Sequence, residues 1–447
     1  MRTVISNATV VNEGRCFTGS VIVEGEFIVD VVEGRYENVG GEDNVIDASG
    51  LYLFPGVIDD HVHFREPGLV HKADIESESR AAAAGGVTSY MEMPNTMPQT
   101  TTVELLTEKF RLAAEKSRVN YSFFFGATND NVSQLRNLDP TTVCGVKVFM
   151  GSSTGNMLVD DERSLRSLFE LSPMLIMAHC EDTSIINQNI KQFKKKYKGQ
   201  NDFPVRYHSR IRSVEACYES TKLAVRLAQE SGARLHIAHV STAKELELFE
   251  SGRIEDKNIT SEACVAHLMF TTEDYDVLGT RIKCNPAIKT FEDREALRLA
   301  LASGLIDVVA TDHAPHLLDE KIGGALKAVS GMPMIQFSLV SMLEMADEGV
   351  VSYEKVAELM CHNPAKLFNI DRRGFIRKGY YADLVLVDPD KSWTVDKDCI
   401  KSKCGWSPVE EKHYNWQVRR TLVNGQTVYS DGAVVDGIRG KELVFNV

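Results

Sequence analysis

Between residues 51 and 316, short apolar β-prone runs alternate with longer helical patterns. No other feature restricts the possible folds of this chain so strongly. Eight such runs stand out: LYLFPGVIDDHVH (51–63), VTSYMEMPN (87–95), VNYSFFFGATN (119–129), TTVCGVKVFM (141–150), MLIMAHC (174–180), RLHIAHV (234–240), NITSEACVAHL (258–268) and LIDVVATDHAPH (305–316). Helical stretches fall between them, such as ADIESESRAAAAGG (73–86), rich in alanine and closed by glycines. Strands that alternate with helices pattern a parallel α/β fold. Eight β-α units predict a (β/α)8 TIM-like barrel.

The two ends of the chain read differently. The first fifty residues alternate and turn, with Glu24-Gly25 as a hairpin signal. Near the other end, ADLVLVDP (382–389) reads as a strand, and RRTLVNGQTVYSDG (419–432) carries Asn424-Gly425 between apolar runs, a strong hairpin signal. Both ends are expected to pack together as a small β-sandwich. The expected domain bounds are 1–52 and 369–447 for the β part and 53–368 for the barrel.

The bulk properties narrow the function classes. A chain of 447 residues, 43% hydrophobic and 25% charged, is expected to fold as a globular protein. A formal charge of −13 argues against a nucleic-acid partner. No apolar run approaches the roughly 20 residues of a membrane-spanning helix, so no membrane role is expected. The start, MRTVISNATVVNEG, lacks the apolar centre of a signal peptide. Nine cysteines stand singly, with no CxxC, which fits reduced thiols and a cytoplasmic protein. KQFKKKYKG (191–199) reads as a solvated helix or loop. GSSTGNM (151–157) lacks phosphate-loop spacing and reads as the turn after the fourth strand.

Seven of the eight runs place a chemically capable residue at or near their C-terminal end: His61 and His63, Asn95, Lys147, His179, His239, a weaker His267, and Asp312 with His313 and His316. In a (β/α)8 barrel that face carries the active site, so residues far apart in sequence converge there. His61 and His63, at i and i+2 on a strand, point the same way and can share one metal ion. The alternative is two surface histidines at a strand end, but Asp59, Asp60 and Arg65 crowded into the same place favour ligands. His179 and His239, each taken alone, could be hydrogen-bonded core residues, but together on neighbouring strands they read as ligands. His236 lies at a position of opposite parity from His239 and reads as structural. Asp312 follows an almost wholly apolar strand, so its carboxylate must be paired, metal-bound or catalytic.

Lys147 is the anomaly. An ammonium among histidines that gather a cation would repel it. Either Lys147 is paired with an acidic residue, or burial keeps it neutral and nucleophilic. A neutral amine can add carbon dioxide and become a carbamate, whose two oxygens could bridge two metal ions.

His-x-His, a lysine, two single histidines and an aspartate on one barrel resemble the site of the amidohydrolase superfamily. More narrowly, PGVIDDHVHFREPG (55–68), MPNT (93–96), HIAHVST (236–242), TDHAPH (311–316) and the stretch from NPAKLFNI (363–370) to ADLVLVDP are similar to the dihydroorotase family. That resemblance implies two zinc ions bridged by N-carboxylated Lys147. His61, His63 and Asp312 would hold one ion, and His179 and His239 the other. It implies Asp312 as general base and acid, and Arg65, Asn95, Asn285 and His316 as substrate contacts. The implied small-molecule substrates are dihydroorotate and carbamoyl aspartate. A homo-oligomer and an association with aspartate transcarbamoylase are further implications. The chain departs from the family pattern at Ala287, where a second proline is common, and at Ala266-His267, where His-His is common. Lys147 also stands where many bacterial members carry Asp. The alternatives are another cyclic amidase (hydantoinase, allantoinase or dihydropyrimidinase), a mononuclear deaminase, or an inactive scaffold. Arg65 argues against the first, Lys147 against the second, and the complete ligand set against the third.

Overall fold

Eight parallel strands pair in chain order. They are β1 (Val57–Val62), β2 (Val87–Glu92), β3 (Asn120–Gly126), β4 (Gly145–Phe149), β5 (Ile176–His179), β6 (Leu235–Ile237), β7 (Ile259–Cys264) and β8 (Val308–Ala310). The computed structural model describes residues 2–35, 43–151, 157–159 and 161–447. Every residue of β1 to β5 is buried, as expected of strands covered on both faces. The ring closes just beyond β1 and β8. There Val62 pairs with His313, and the His63 N–H donates to the His313 carbonyl at 2.7 Å. The expected barrel is therefore present.

The first run contains two strands. Tyr52–Pro55 pairs with Arg2–Asn12 and Leu384–Asp388 in the sheet built from the chain ends, and only β1 belongs to the barrel. The break falls at Gly56, where an added Cβ would lie 2.1 Å from the Thr88 hydroxyl oxygen, so only glycine lets the chain pass this close to β2.

The second sheet has nine strands and draws on both ends of the chain. Tyr52–Pro55 and Leu384–Asp388 join its two halves. Ile5, Val10, Val21, Leu53, Leu384 and Leu422 form its own apolar cluster. The predicted hairpin is present: Gln417–Val423 and Gln426–Ser430 are joined through Asn424 and Gly425, both at positive φ (50° and 75°), which a tight turn of the I′ kind requires.

Helices cover the barrel. Ile75–Ala84 opens on a capping box in which the Asp74 carboxylate accepts the Ser77 N–H. Thr183–Lys196 is capped by Asp182 and contains the start of the lysine-rich run. Among the described residues no helix is long and apolar enough to cross a membrane. The nine cysteines are free, six of them buried. Of the turn expected at 151–157, residues 152–156 lie outside the described residues.

Candidate active site

The candidate residues gather where the strands end. His61 lies on β1 with His63 just beyond it, Lys147 is central in β4, and His179 closes β5. His239 and Asp312 each follow their strand by two residues. His239 (φ 39°), Asp312 (φ 48°) and Arg65 (φ 72°) all adopt left-handed backbone, which costs non-glycine residues energy and clusters at functional sites. The turns swing these three side chains inward after the strands stop. Arg65 lies beyond the strand, which ends at Val62, and reaches the cavity through its own left-handed turn rather than through extended geometry.

The distances define two neighbouring groups. Asp312 Oδ1 lies 3.0 Å from His63 Nε2 and 3.5 Å from His61 Nε2. His61, His63 and Asp312 offer donor atoms that all lie within 4.8 Å of one another, close enough to share one ion. His179 Nδ1 meets His239 Nε2 at 2.8 Å. Lys147 is completely buried, and its Nζ has no hydrogen-bond partner. An orphaned ammonium is costly inside a protein. Burial pulls the Lys147 pKa below its usual value, although Glu262 and Asp312 oppose the shift. Burial likewise pushes His63 down to about 4, and His179 and His239 downward too, so all three favour the neutral form that ligates metals. Burial opposes ionisation of Asp312, but His61 and His63 outweigh it and hold the carboxyl down to about 2. A nitrogen and oxygen donor set with no thiolate fits a divalent ion such as zinc.

A second layer orients these groups. His61 Nδ1–H donates to Glu262 at 3.0 Å, and the His239 backbone N–H donates to the same carboxylate at 2.9 Å. His63 Nδ1–H donates to Asn95 Oδ1 at 2.7 Å. His179 Nε2–H donates to Glu181 at 3.0 Å, and Arg212 pairs with Glu181 from the other side. Such partners fix the tautomer and direction of a ligating imidazole. Glu262 and Glu181 were absent from the sequence expectation. Glu262 lies in NITSEACVAHL, a half-polar run that does not mark its carboxylate in the way the apolar run before Asp312 marks Asp312. The weaker candidate, His267, binds the Pro286 carbonyl at 3.1 Å and so braces the loop of Asn285. His313 is held by Glu78 at 2.8 Å, and His236 by Thr260 at 2.8 Å.

A cavity of about 530 Å³ opens over this cluster. His61, His63, Arg65, Asn95, His179, His239, Asn285, Asp312 and His316 line it, whereas Lys147, His267 and His313 are buried outside the lining. Arg65 is 8% exposed. Its guanidinium donates to the Pro315 carbonyl at 2.9 Å and lies 2.9 Å from His316 Nε2. The acids nearest in sequence are engaged elsewhere, Glu66 with Lys116 and Asp74 with Lys403. Among the described residues Arg65 has no carboxylate partner. His316, for its part, is also 3.1 Å from Lys72 Nζ, and Asn285 Oδ1 accepts from His208 Nε2 at 3.1 Å.

Residues 52–428 match the Amidohydrolase family. A dihydroorotase of Halobacterium salinarum is 37% identical over 402 residues, covering 89% of this chain and 91% of that protein. An allantoinase of Bacillus velezensis is 31% identical, covering 96% of this chain and 94% of its own. Among solved structures, the L-hydantoinase (dihydropyrimidinase) of Arthrobacter aurescens superposes with a TM-score of 0.92 at 27% identity, over 99% of each chain.

Proposed function

Given that the chain belongs to the amidohydrolase family and carries the side chains of a metal-dependent hydrolase, we propose that it interconverts dihydroorotate and N-carbamoyl-L-aspartate, the dihydroorotase reaction. The observation that carries this reading is Arg65, a buried guanidinium on the cavity wall with no carboxylate partner among the described residues. Dihydroorotate differs from dihydrouracil by a ring carboxylate, and a guanidinium binds a carboxylate through charge-assisted hydrogen bonds. His316, in contact with Arg65, and Asn95, in the same cavity lining, complete the carboxylate seat. Asn285, across the cavity, contacts the ring.

In this reading His61, His63 and Asp312 would hold one zinc ion and His179 and His239 the second. Lys147 would serve as a further anionic ligand once its neutral Nζ had bonded to the carbon of carbon dioxide and lost a proton, giving a carbamate. When bound, the ions supply Lewis acidity, which activates water and polarises the ring amide. The chain's own residues manage the protons. Asp312 takes the proton of the attacking water as its oxygen bonds to the amide carbon. It then delivers that proton to the ring nitrogen as the C–N bond breaks. Cyclisation of carbamoyl aspartate reverses these steps. Glu262 and Glu181 hold the imidazoles in place throughout.

The allantoinase and hydantoinase relatives define the rival, a cyclic amidase for uncharged rings. A side-by-side assay of dihydroorotate, dihydrouracil, hydantoin and allantoin with the zinc-loaded protein separates the two readings. Dihydroorotate is expected to be the preferred substrate by a wide margin. Arg65→Met is expected to cost about 10- to 100-fold in kcat/KM on dihydroorotate, the scale of a charged hydrogen bond, with metal content unchanged. Preferential turnover of an uncharged ring would overturn the assignment.

A further inference from the structure

The lysine-rich run has a definite place beside the cavity. Residues 183–201 contain five lysines (Lys191, Lys194, Lys195, Lys196 and Lys198) and no acidic residue. All five are exposed, as are Arg206 and Arg210 nearby. Lys196 lies over the Tyr197 ring at 5.5 Å, and both arginines lie over Tyr207. Among the described residues none of these seven cations forms an ion pair, whereas Arg212, deeper in, is paired with Glu181. The neighbouring Asp202 carboxylate is occupied: it accepts the N–H groups of Phe203 at 2.8 Å, Gly324 at 2.6 Å and Leu326 at 2.8 Å. Asp202 keeps its charge but is turned to these N–H groups, so seven unpaired cations face this surface with a net positive charge.

The helix Thr183–Lys196 is also a wall of the cavity. Ile186 and Ile190 line the cavity, and Lys194 is the next residue at the same four-residue spacing. It lies about 6 Å further along the axis, at ~1.5 Å of rise per residue. The helix face that is apolar at Ile186 and Ile190, in the cavity lining, thus carries a cation one turn beyond it. Further in, the lining holds Arg65, Lys72, Arg212 and Lys283 against a single carboxylate, Asp312. The chain as a whole carries −13, so its overall field repels anions. A local cationic rim offsets that repulsion where substrate enters.

We propose that the lysine-rich end of this helix is a capture surface for small anionic substrates, which it concentrates at the mouth of the cavity. The inference rests on the substrate reading above, in which one substrate is a monoanion and the other a dianion. Charges on low-dielectric walls around a cleft raise local ligand concentration and capture rate by about 10- to 1,000-fold in favourable cases. Salt screens the effect, with a Debye length of about 8 Å at physiological ionic strength. An acidic macromolecule would also be attracted, but continuity with the cavity lining favours a ligand that enters it.

The test compares the zinc-loaded protein with its K194Q/K195Q/K196Q variant, none of these lysines being part of the catalytic cluster. Kinetics on dihydroorotate and carbamoyl aspartate are measured from low to high salt, alongside calorimetric binding of orotate, a ring anion of similar shape. At low salt the variant is expected to lose about three- to tenfold in kcat/KM and in orotate affinity. The loss should be larger for the dianion, kcat should not change, and the difference should vanish in high salt. Variant and wild type with equal affinities and salt slopes would overturn the inference and leave the assignment standing. Absence of dihydroorotate turnover in both proteins would overturn the assignment instead, and the salt dependence of orotate binding would still decide the role of the helix. Salt-sensitive binding of an acidic polymer with no effect on orotate would also overturn it.

Discussion

Lys147 is fully buried with no hydrogen-bond partner, its Nζ meeting only the Phe149 ring at 5.4 Å, so it destabilises the fold if it carries charge. Its carbamate would instead be an anion among the histidines proposed to hold metal. Lys147→Ala is therefore expected to lose most bound zinc and at least about 100-fold of activity, on the scale of losing a group that orients metal. Short carboxylic acids added to this variant should restore part of both, since they can occupy the vacated space. Full metal content and activity without them would remove the carbamate from the mechanism. Lys147, His179, His239 and Asp312 were legible in the sequence because each interrupts or closes an apolar run. Glu262 was not, because TSEAC reads as ordinary half-polar strand. Only the closed barrel shows that this strand is covered on both sides and that its carboxylate meets His61. Nor could the sequence show how Arg65 reaches the site, since that depends on a left-handed turn rather than on strand parity.

The segments between the strands give the site its walls. Lys321 is almost fully buried and donates to three backbone carbonyls, those of Lys283 at 3.0 Å, Val329 at 2.9 Å and Gly331 at 2.7 Å. It ties the loop after His316 to the loop of Asn285, and both line the cavity. Lys321→Met leaves the Val329 and Gly331 carbonyls without their donor, at about 1–3 kcal/mol for each group left unsatisfied, while the Lys283 carbonyl keeps the Gly331 N–H at 2.8 Å. The expected result is a lower Tm and a raised KM with metal content preserved. An unchanged KM would mean that the two loops hold their positions without it. Strand and helix existence was readable from periodicity, but lengths were not. The eighth run was drawn over 305–316, yet only Val308–Ala310 is strand, because the residues after it turn to present Asp312 and His316. A similar shortening occurs in the sixth run, drawn over 234–240, where the strand is Leu235–Ile237 and His239 follows it at positive φ.

At the scale of the whole molecule, the barrel and the terminal sheet are joined by a buried polar knot. Asp383 accepts from Asn120 of β3 at 3.1 Å and from the Asn424 backbone N–H at 2.7 Å, and it pairs with Arg373. Asp383→Ala leaves Arg373 buried and uncompensated, a change that costs about 3–5 kcal/mol. Calorimetry should show a single transition for barrel and sheet in the wild type, and in the variant a lower one or two separate ones. The two-ended sheet was foreseen from hairpin signals at both termini. Asp383 was not, because its partners lie in segments that no local pattern connects.

The closure of the ring has one more consequence. The bridge between Val62 and His313 is flanked by His61, His63 and Asp312, so the proposed zinc site straddles the seam where the first and last strands meet. An ion held there would act as a rivet across the joint. It would stabilise the closed ring by mass action, by about 2.7 kcal/mol at a hundredfold excess over Kd. Stripping the metal should therefore accelerate hydrogen exchange at the His63 amide, which donates across the seam, more than at amides in the middle of β3. By the same linkage, a strain that weakens the joint from below would lower the affinity for zinc above it.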